Sequence, residues 1–286
     1  MTAGAVAIEV EDLHKRYGSH TAVRGISFSV RQGEVFGLLG PNGAGKTTTV
    51  EILEGYRERT RGRVAVLGMD PGSRPAALRE RIGIVLQSSG LYRHLSVHEA
   101  VSHWAGFYHA PRDVEATIAL TGLEAAAGQR TRTLSGGQQR RLDFALALIG
   151  DPELVFLDEP TTGFDPAARR QAWETVRSLR DLGKTVVLTT HYLDEAQALA
   201  DRVAIVKDGA ILAEGAPGDL GSATRRYRVA WRDAEGAPHE RETAEPTALL
   251  HELTSMALAR GERLLELSVT QPSLEDVYLE LTAEPA

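Results

Sequence analysis

Short unbroken apolar runs alternate along the chain with segments whose apolar residues recur every three or four positions. Apolar runs bounded by turn residues mark strands buried on both faces, and the longer period marks amphipathic helices. Residues 6–10 and 26–30 read as early strands. Val35–Leu39 is a strand halted by Gly40-Pro41-Asn42-Gly43, turn residues that break a strand. A helix is expected from Lys46, turning Val50, Ile52 and Leu53 inward. Residues 82–86 form another short buried strand. The pattern turns helical over 96–125, where Ser96 and Glu99 have capping-box spacing. A helix over 138–149 leads at once into a strand at 154–157. Asp165-Pro166 opens a long helix, proline fitting its first position. Strands follow at 185–189 and 203–206, and Lys207-Asp208-Gly209-Ala210 reads as a hairpin turn. This alternation predicts an α/β domain with a largely parallel sheet.

The pattern changes after Glu214-Gly215-Ala216-Pro217-Gly218. Strands at 227–231 and 264–269 flank a helix over 247–260, and a last helix begins at Ser273 with Asp276 as its capping partner. Leu274, Val277, Tyr278 and Leu281 fall on one stripe of that helix. The expectation is a large domain, 1–218, followed by a small α+β accessory domain, 219–286.

Charge separates the same two parts. The chain of 286 residues has a net charge of -7, and 219–286 alone contribute -6 of it, with 13 acids against 7 bases. The larger part is nearly neutral. That balance argues against a nucleic-acid partner held by phosphate neutralisation. With 42% hydrophobic residues the chain can build a sizeable core, which excludes disorder as its main state. The absence of cysteine removes disulfides, thiolate metal sites and thiol catalysis. No apolar run is long enough to span a membrane, and the acids at Glu9, Glu11 and Asp12 do not suit a signal peptide.

The chemistry concentrates in three places. Gly40-Pro41-Asn42-Gly43-Ala44-Gly45-Lys46-Thr47-Thr48 fits G-x-x-x-x-G-K-[ST] between a strand and a helix. Its glycines let backbone wrap close to phosphates, and the helix N-terminus offers free amides. Lys46 would reach the β and γ phosphates and the Thr47 hydroxyl would ligate Mg²⁺. In Leu154-Val155-Phe156-Leu157-Asp158-Glu159, two acids emerge at the carboxyl end of a buried strand, where open α/β sheets bind ligands. Asp158 would hold Mg²⁺ and Glu159 would polarise the attacking water. Taken alone, the two acids could equally be plain strand caps. The third place is Leu134-Ser135-Gly136-Gly137-Gln138-Gln139-Arg140-Arg141, a second potential anion site at a helix N-terminus.

This third run resembles the signature of ATP-binding cassette (ABC) ATPases, and the order of phosphate loop, signature, acidic strand end and His191 is that of the family. The resemblance covers roughly 5–216 and implies a P-loop ABC ATPase fold, with a mixed sheet plus a helical subdomain. It implies that Tyr17 stacks on adenine, that Gln87 links nucleotide and Mg²⁺ to transport, and that His191 contacts the γ-phosphate. Ser135, Gly136, Gly137 and Gln138 would bind the ATP of an opposing subunit. Thr161-Thr162-Gly163-Phe164-Asp165 would cross to that subunit, although leucine is more usual at Phe164. The implied catalytic set is Glu159, His191 and Gln87, and the implied metal ligands are Thr47, Gln87 and Asp158.

The resemblance also implies partners: a second ATP-binding subunit, with two ATP molecules sandwiched head to tail, and a membrane-spanning permease whose cytoplasmic helix is received near 88–99. Leu91, Tyr92, Leu95 and Val97 there are expected to be exposed. The tail from Gln271 to Thr282 and His191-Tyr192-Leu193-Asp194-Glu195-Ala196 resemble ATPase subunits of drug and antibiotic exporters, which places the protein on the cytoplasmic membrane face. An importer ATPase would share every catalytic motif but usually carries a longer β-rich extension. A soluble ABC ATPase of translation would carry two cassettes. A DNA-repair member would need coiled-coil heptads or zinc cysteines, and neither occurs.

Overall fold

The computed structural model describes residues 5–85, 93–220, 227–270 and 274–282. Contacts divide the chain into two compact units, Met1–Glu214 and Gly215–Ala286.

The first unit begins with β1 (Val6–Tyr17) and β2 (His20–Arg31), a hairpin far longer than the two short strands expected. Their polar outward positions interrupt the apolar runs, which is why only the runs were legible. After β3 (Val35–Leu39) and α1 (Lys46–Leu53), β4 (Arg61–Val66) returns to pair with β1. The antiparallel order is β2-β1-β4. Next come α2 (Ala76–Arg81), β5 (Ile82–Val85), α3 (Val97–Ala105), α4 (Val114–Leu120), α5 (Gly136–Leu148) and β6 (Leu154–Asp158). The unit closes with α6 (Pro166–Asp181), β7 (Thr185–Thr190), α7 (Leu193–Leu199), β8 (Arg202–Lys207) and β9 (Ala210–Gly215).

A second sheet has the order β5-β6-β7-β3-β8-β9, and its pairings from β5 through β8 are parallel. The two sheets together make the fold mixed, as the family resemblance implied. Strand side chains alternate between the faces of this larger sheet. Phe36, Leu38, Phe156 and Val187 pack with α1 and the antiparallel sheet. Val35, Val155, Leu157, Val186 and Leu188 pack with α5, α6 and α7 on the other face. Burial on both faces is the physical reason that these strands read as unbroken apolar runs. The hairpin turn at Asp208-Gly209 forms, both residues having positive φ (50° and 78°).

The segment over 96–125 is two helices, not one continuous helical stretch. Gly106 and Pro111 interrupt it, and α4 starts afresh on Asp113, which accepts from Ala116 N at 2.8 Å. The capping box at α3 forms, Ser96 N donating to Glu99 at 2.7 Å and Glu99 N to Ser96 Oγ at 3.1 Å. Val97 is fully buried and Leu95 packs against it in the cluster with Ile118 and Leu142. That corrects the expectation that these two are exposed: they hold α3 and α4 onto α5. Leu91 and Tyr92 lie outside the described residues.

The second unit holds α8 (Pro217–Leu220), β10 (Tyr227–Arg232), β11 (Pro238–Thr243), α9 (Pro246–Arg260), β12 (Leu265–Thr270) and α10 (Leu274–Thr282). Its antiparallel sheet runs β11-β10-β12, with Val229 packed under Leu249 and Leu253 of α9. The almost wholly exposed β11 has the sequence PHERET and no apolar alternation to reveal it. In α10, Leu274 and Val277 are buried, Tyr278 and Leu281 half-buried. The expected cap Ser273 lies outside the described residues.

Candidate active site

The phosphate-loop segment leaves β3 at the carboxyl edge of the larger sheet. Two of its glycines are sterically required. A Cβ on Gly40 would stand 2.1 Å from the Val206 carbonyl oxygen, and one on Gly45, at φ 100°, 2.4 Å from that of Ala22. Gly45 is also the N-cap of α1, and no side chain caps that helix. The first amides of α1 are therefore left for a ligand. Lys46, only 4% exposed, folds back to donate to the carbonyls of Gly40 (2.8 Å) and Pro41 (3.1 Å). Burial holds its ammonium below the usual lysine range, with Glu159 and then Asp158 pulling the other way.

The two acids follow the apolar part of β6. Asp158 Oδ1 accepts from Thr189 Oγ1 at 2.5 Å and from Thr47 Oγ1 at 3.2 Å. Glu159 has φ 45°, a conformation that non-glycine residues adopt only when their surroundings enforce it. Here its N–H donates to Thr189 Oγ1 at 3.0 Å, and its Oε2 accepts from Thr162 at 3.0 Å. Its Oε1 lies 3.6 Å from Lys46 Nζ and 3.4 Å from His191 Nδ1. The Lys46 and Glu159 side chains are 4% and 11% exposed, so ammonium and carboxylate meet with little solvent between them, and the more exposed His191 imidazole borders them.

A cleft of about 440 Å³ opens above them, lined by Tyr17, His20, Ala22, Asn42, Gly43, Gly45, Lys46, Thr47, Thr48 and Glu159. It is large enough for a mononucleotide. Gly40, Pro41 and Ala44 form the turn beneath it without lining it. Tyr17 is 38% exposed, with Lys15 Nζ 4.9 Å and the Arg57 guanidinium 5.3 Å from its ring centre. Both cations favour an electron-rich ring surface.

Ser135, Gly136, Gly137 and Gln138 are not part of that lining. They open α5: Gln138 N donates to Ser135 Oγ at 3.3 Å, and Ser135 N donates to Gln138 Oε1 at 2.9 Å. A Cβ on Gly136 or Gly137 would meet nothing among the described residues within 4 Å. Gln87 lies outside the described residues.

Sequence reasoning missed Thr189 and His20, and it placed Thr162 in the loop toward an opposing subunit without foreseeing its bond to Glu159. No local pattern marks Thr189, and His20 pairs with Tyr17 across the β1–β2 turn.

The ABC transporter family model matches residues 23–162. The linearmycin resistance ATP-binding protein LnrL of Bacillus subtilis (strain 168) is 36% identical, over 96% of this chain and 98% of that protein. The Nod factor export ATP-binding protein I of Rhizobium sp. (strain N33) is 39% identical, over 97% of each. The chain is an ABC transporter ATP-binding protein. Solved structures agree. An ATP-binding subunit of an ABC transporter superposes with a TM-score of 0.69 at 26% identity, over 76% of this chain and 93% of that one. A dimeric ATP-binding cassette in a post-hydrolysis state, bound to ADP and Pi, gives 0.66 at 25%, over 73% and 98%. As a member of this family the chain is an ATPase, and the cleft at the phosphate-loop segment is the candidate site of its chemistry.

Proposed function

We propose that this ABC ATPase hydrolyses Mg²⁺-ATP in a head-to-tail dimer and drives export of a substrate through a separate membrane-spanning subunit. The observation that carries the hydrolytic reading is the meeting of Lys46, Glu159 and His191 around one carboxylate oxygen, at 3.6 and 3.4 Å. Glu159 takes the proton of the attacking water as general base. Lys46 exchanges its two carbonyl contacts for the β and γ phosphates, and His191, 3.4 Å from Glu159, contacts the γ-phosphate. Tyr17 stacks on adenine. Thr47 and Asp158 present adjacent oxygens suited to a hard cation, and among the described residues no group of three or more His, Cys, Asp or Glu could hold a metal by itself. That pair fits Mg²⁺, which is held by few side chains together with substrate phosphates. When bound, the ion neutralises charge on the transferring phosphoryl group.

The dimer reading rests on α5. Glycine is a poor helix former, yet nothing among the described residues lies close enough to Gly136 or Gly137 to require it. Close approach of another molecule explains them, and the opposing subunit's γ-phosphate at the start of α5 is the occupant proposed. Closing two such sites around two nucleotides converts binding into movement.

Export is favoured over import by the relatives named for linearmycin resistance and Nod factor export. In this reading the cargo is a drug, antibiotic or other hydrophobic compound, and the protein sits at the cytoplasmic membrane face. No helix among the described residues is long and apolar enough to cross a membrane, so the path belongs to the other subunit. Residues 1–218 act as the nucleotide-binding domain and 219–286 as the accessory domain. Co-purification from membranes tests this. The full chain should carry one membrane protein with it, and a chain ending at Ser222 should bind ATP but lose that protein. Recovery with ribosomes or DNA instead would overturn the transport reading.

A further inference from the structure

One buried acid takes no part in the chemistry described above. Glu195, in the first turn of α7, is 1% exposed. An acid there could serve the helix N-terminus from the surface, but this one points inward, where an uncompensated charge is costly. Its surroundings are built to receive it. Thr161 Oγ1 donates to its Oε1 at 2.8 Å, and Trp173 Nε1 donates to the same oxygen at 3.1 Å. In the turn that bears His191, Thr190 Oγ1 accepts from Tyr192 N at 2.9 Å. Burial pushes the Glu195 carboxyl up, while hydrogen bonding pulls the other way.

The two donors come from different elements: Thr161 lies two positions after Glu159 and Trp173 is on α6, while Glu195 itself stands on α7, four positions after His191. The peptide between Glu159 and Thr161 is gripped from the other side too: the buried Arg140 of α5 donates through Nε to the Pro160 carbonyl at 3.1 Å. On the His191 side, the Tyr192 ring lies tilted at 40° with its centre 4.1 Å from that of His191, and the Arg169 guanidinium lies 4.4 Å from the Tyr192 ring centre. Arg169 in turn bonds Asp194 at 3.0 Å. The loop after Glu159 and the turn bearing His191 are thus joined through one carboxylate.

We propose that Glu195 is a positioning residue, which holds Glu159 and His191 in register by tying Thr161 to the first turn of α7, just after His191. This rests on the reading of Glu159 and His191 as hydrolytic residues. Glu159 has a strained φ, so its place depends on neighbours that fix the adjoining backbone. Small displacements of a catalytic group suffice to slow chemistry without loosening substrate.

The test uses the full-length chain with Mg²⁺-ATP, measuring kcat, KM and thermal midpoint. Thr161→Val removes the loop's donor at constant shape; kcat should fall about 10- to 100-fold with KM unchanged. Trp173→Phe removes a hydrogen bond to the same oxygen but leaves the loop attached, and kcat should stay near wild type. Glu195→Gln should also keep kcat, because a carboxamide oxygen can accept from both donors. Wild-type kcat in Thr161→Val overturns the proposal. So do equal losses in the Thr161 and Trp173 variants that follow the thermal midpoint, since those describe mere core packing. Loss of kcat in Glu195→Gln counts against it as well. Glu159→Gln separates the two readings: if it is inactive while Thr161→Val is unaffected, only the positioning role fails. If it retains wild-type hydrolysis, both fall.

Discussion

Thr47 donates to Asp158 at 3.2 Å across 111 positions of sequence. The first residue completes the phosphate-loop motif and the second ends β6. Because Asp158 also accepts from Thr189, its carboxylate is fixed before any ligand arrives. Such preorganisation spares reorganisation when charge develops in the transition state. Thr47→Ala should therefore raise the Mg²⁺ concentration needed for half-maximal hydrolysis. Binding of ATP in the presence of a chelator should change little. A Mg²⁺ titration that superposes on wild type would remove Thr47 from the metal site.

Glu159, Lys46 and Ser135 should fail in different ways. Glu159→Gln removes the base but keeps the shape, so hydrolysis should drop about 10²–10⁴-fold while ATP accumulates in a closed dimer seen by size exclusion. Lys46→Ala should lose ATP affinity together with hydrolysis. Ser135→Ala should spare binding by the isolated chain and suppress dimer closure. Equal ATP affinity and equal dimerisation in all three variants would contradict a site shared between two subunits.

Two glycine substitutions separate folding from partner contact. Gly40→Ala places a Cβ 2.1 Å from the Val206 carbonyl, and forcing atoms into a packed site costs about 1–3 kcal/mol. Its thermal midpoint should fall. Gly136→Ala meets nothing among the described residues within 4 Å and adds a better helix former, so its midpoint should hold or rise while ATPase activity falls. Full activity in Gly136→Ala would refute close approach at the start of α5.

Glu54 makes stability depend on pH. Burial, and then the nearby charges of Asp158 and Glu51, push its carboxyl up to about 8 from an ordinary 4.5. Below 4.5 the group is protonated in both folded and unfolded chains and leaves stability unchanged. Between 4.5 and 8 the unfolded chain ionises first, so this group lowers stability as pH rises, by at most about 1.4 kcal/mol for each pH unit. Glu54→Gln should stabilise the protein increasingly from pH 5 to pH 8 in thermal denaturation. A gap that is constant or shrinks over that range would show Glu54 to be ionised in the folded chain.

The sequence alone was enough to place β3, β6 and β7, because strands buried on both faces carry successive apolar residues, although threonines flank the apolar centre of β7. The phosphate-loop segment was legible because close backbone approach admits only glycine at Gly40 and Gly45. The Ser96 cap was legible, since a capping box is complete within four consecutive residues, whereas α5 begins at Gly136 on a Ser135 cap, two residues before the helix start expected at Gln138. All of these are local constraints.

Tertiary structure decided the rest. β11, of sequence PHERET, is a strand because β10 offers it backbone partners, and its side chains carry no sign of that. Leu95 and Val97 resemble surface residues until α5 covers them. Thr189 and Thr162, which fix Asp158 and Glu159, and Glu195, which Thr161 and Trp173 meet inside the core, are ordinary polar residues in sequence. Their roles arise from hydrogen bonds between elements distant along the chain. Apolar periodicity records whether a side chain is buried and on which face, because burial follows the repeat of its own helix or strand. Which polar group meets another depends on how separate elements pack, and no local pattern records that.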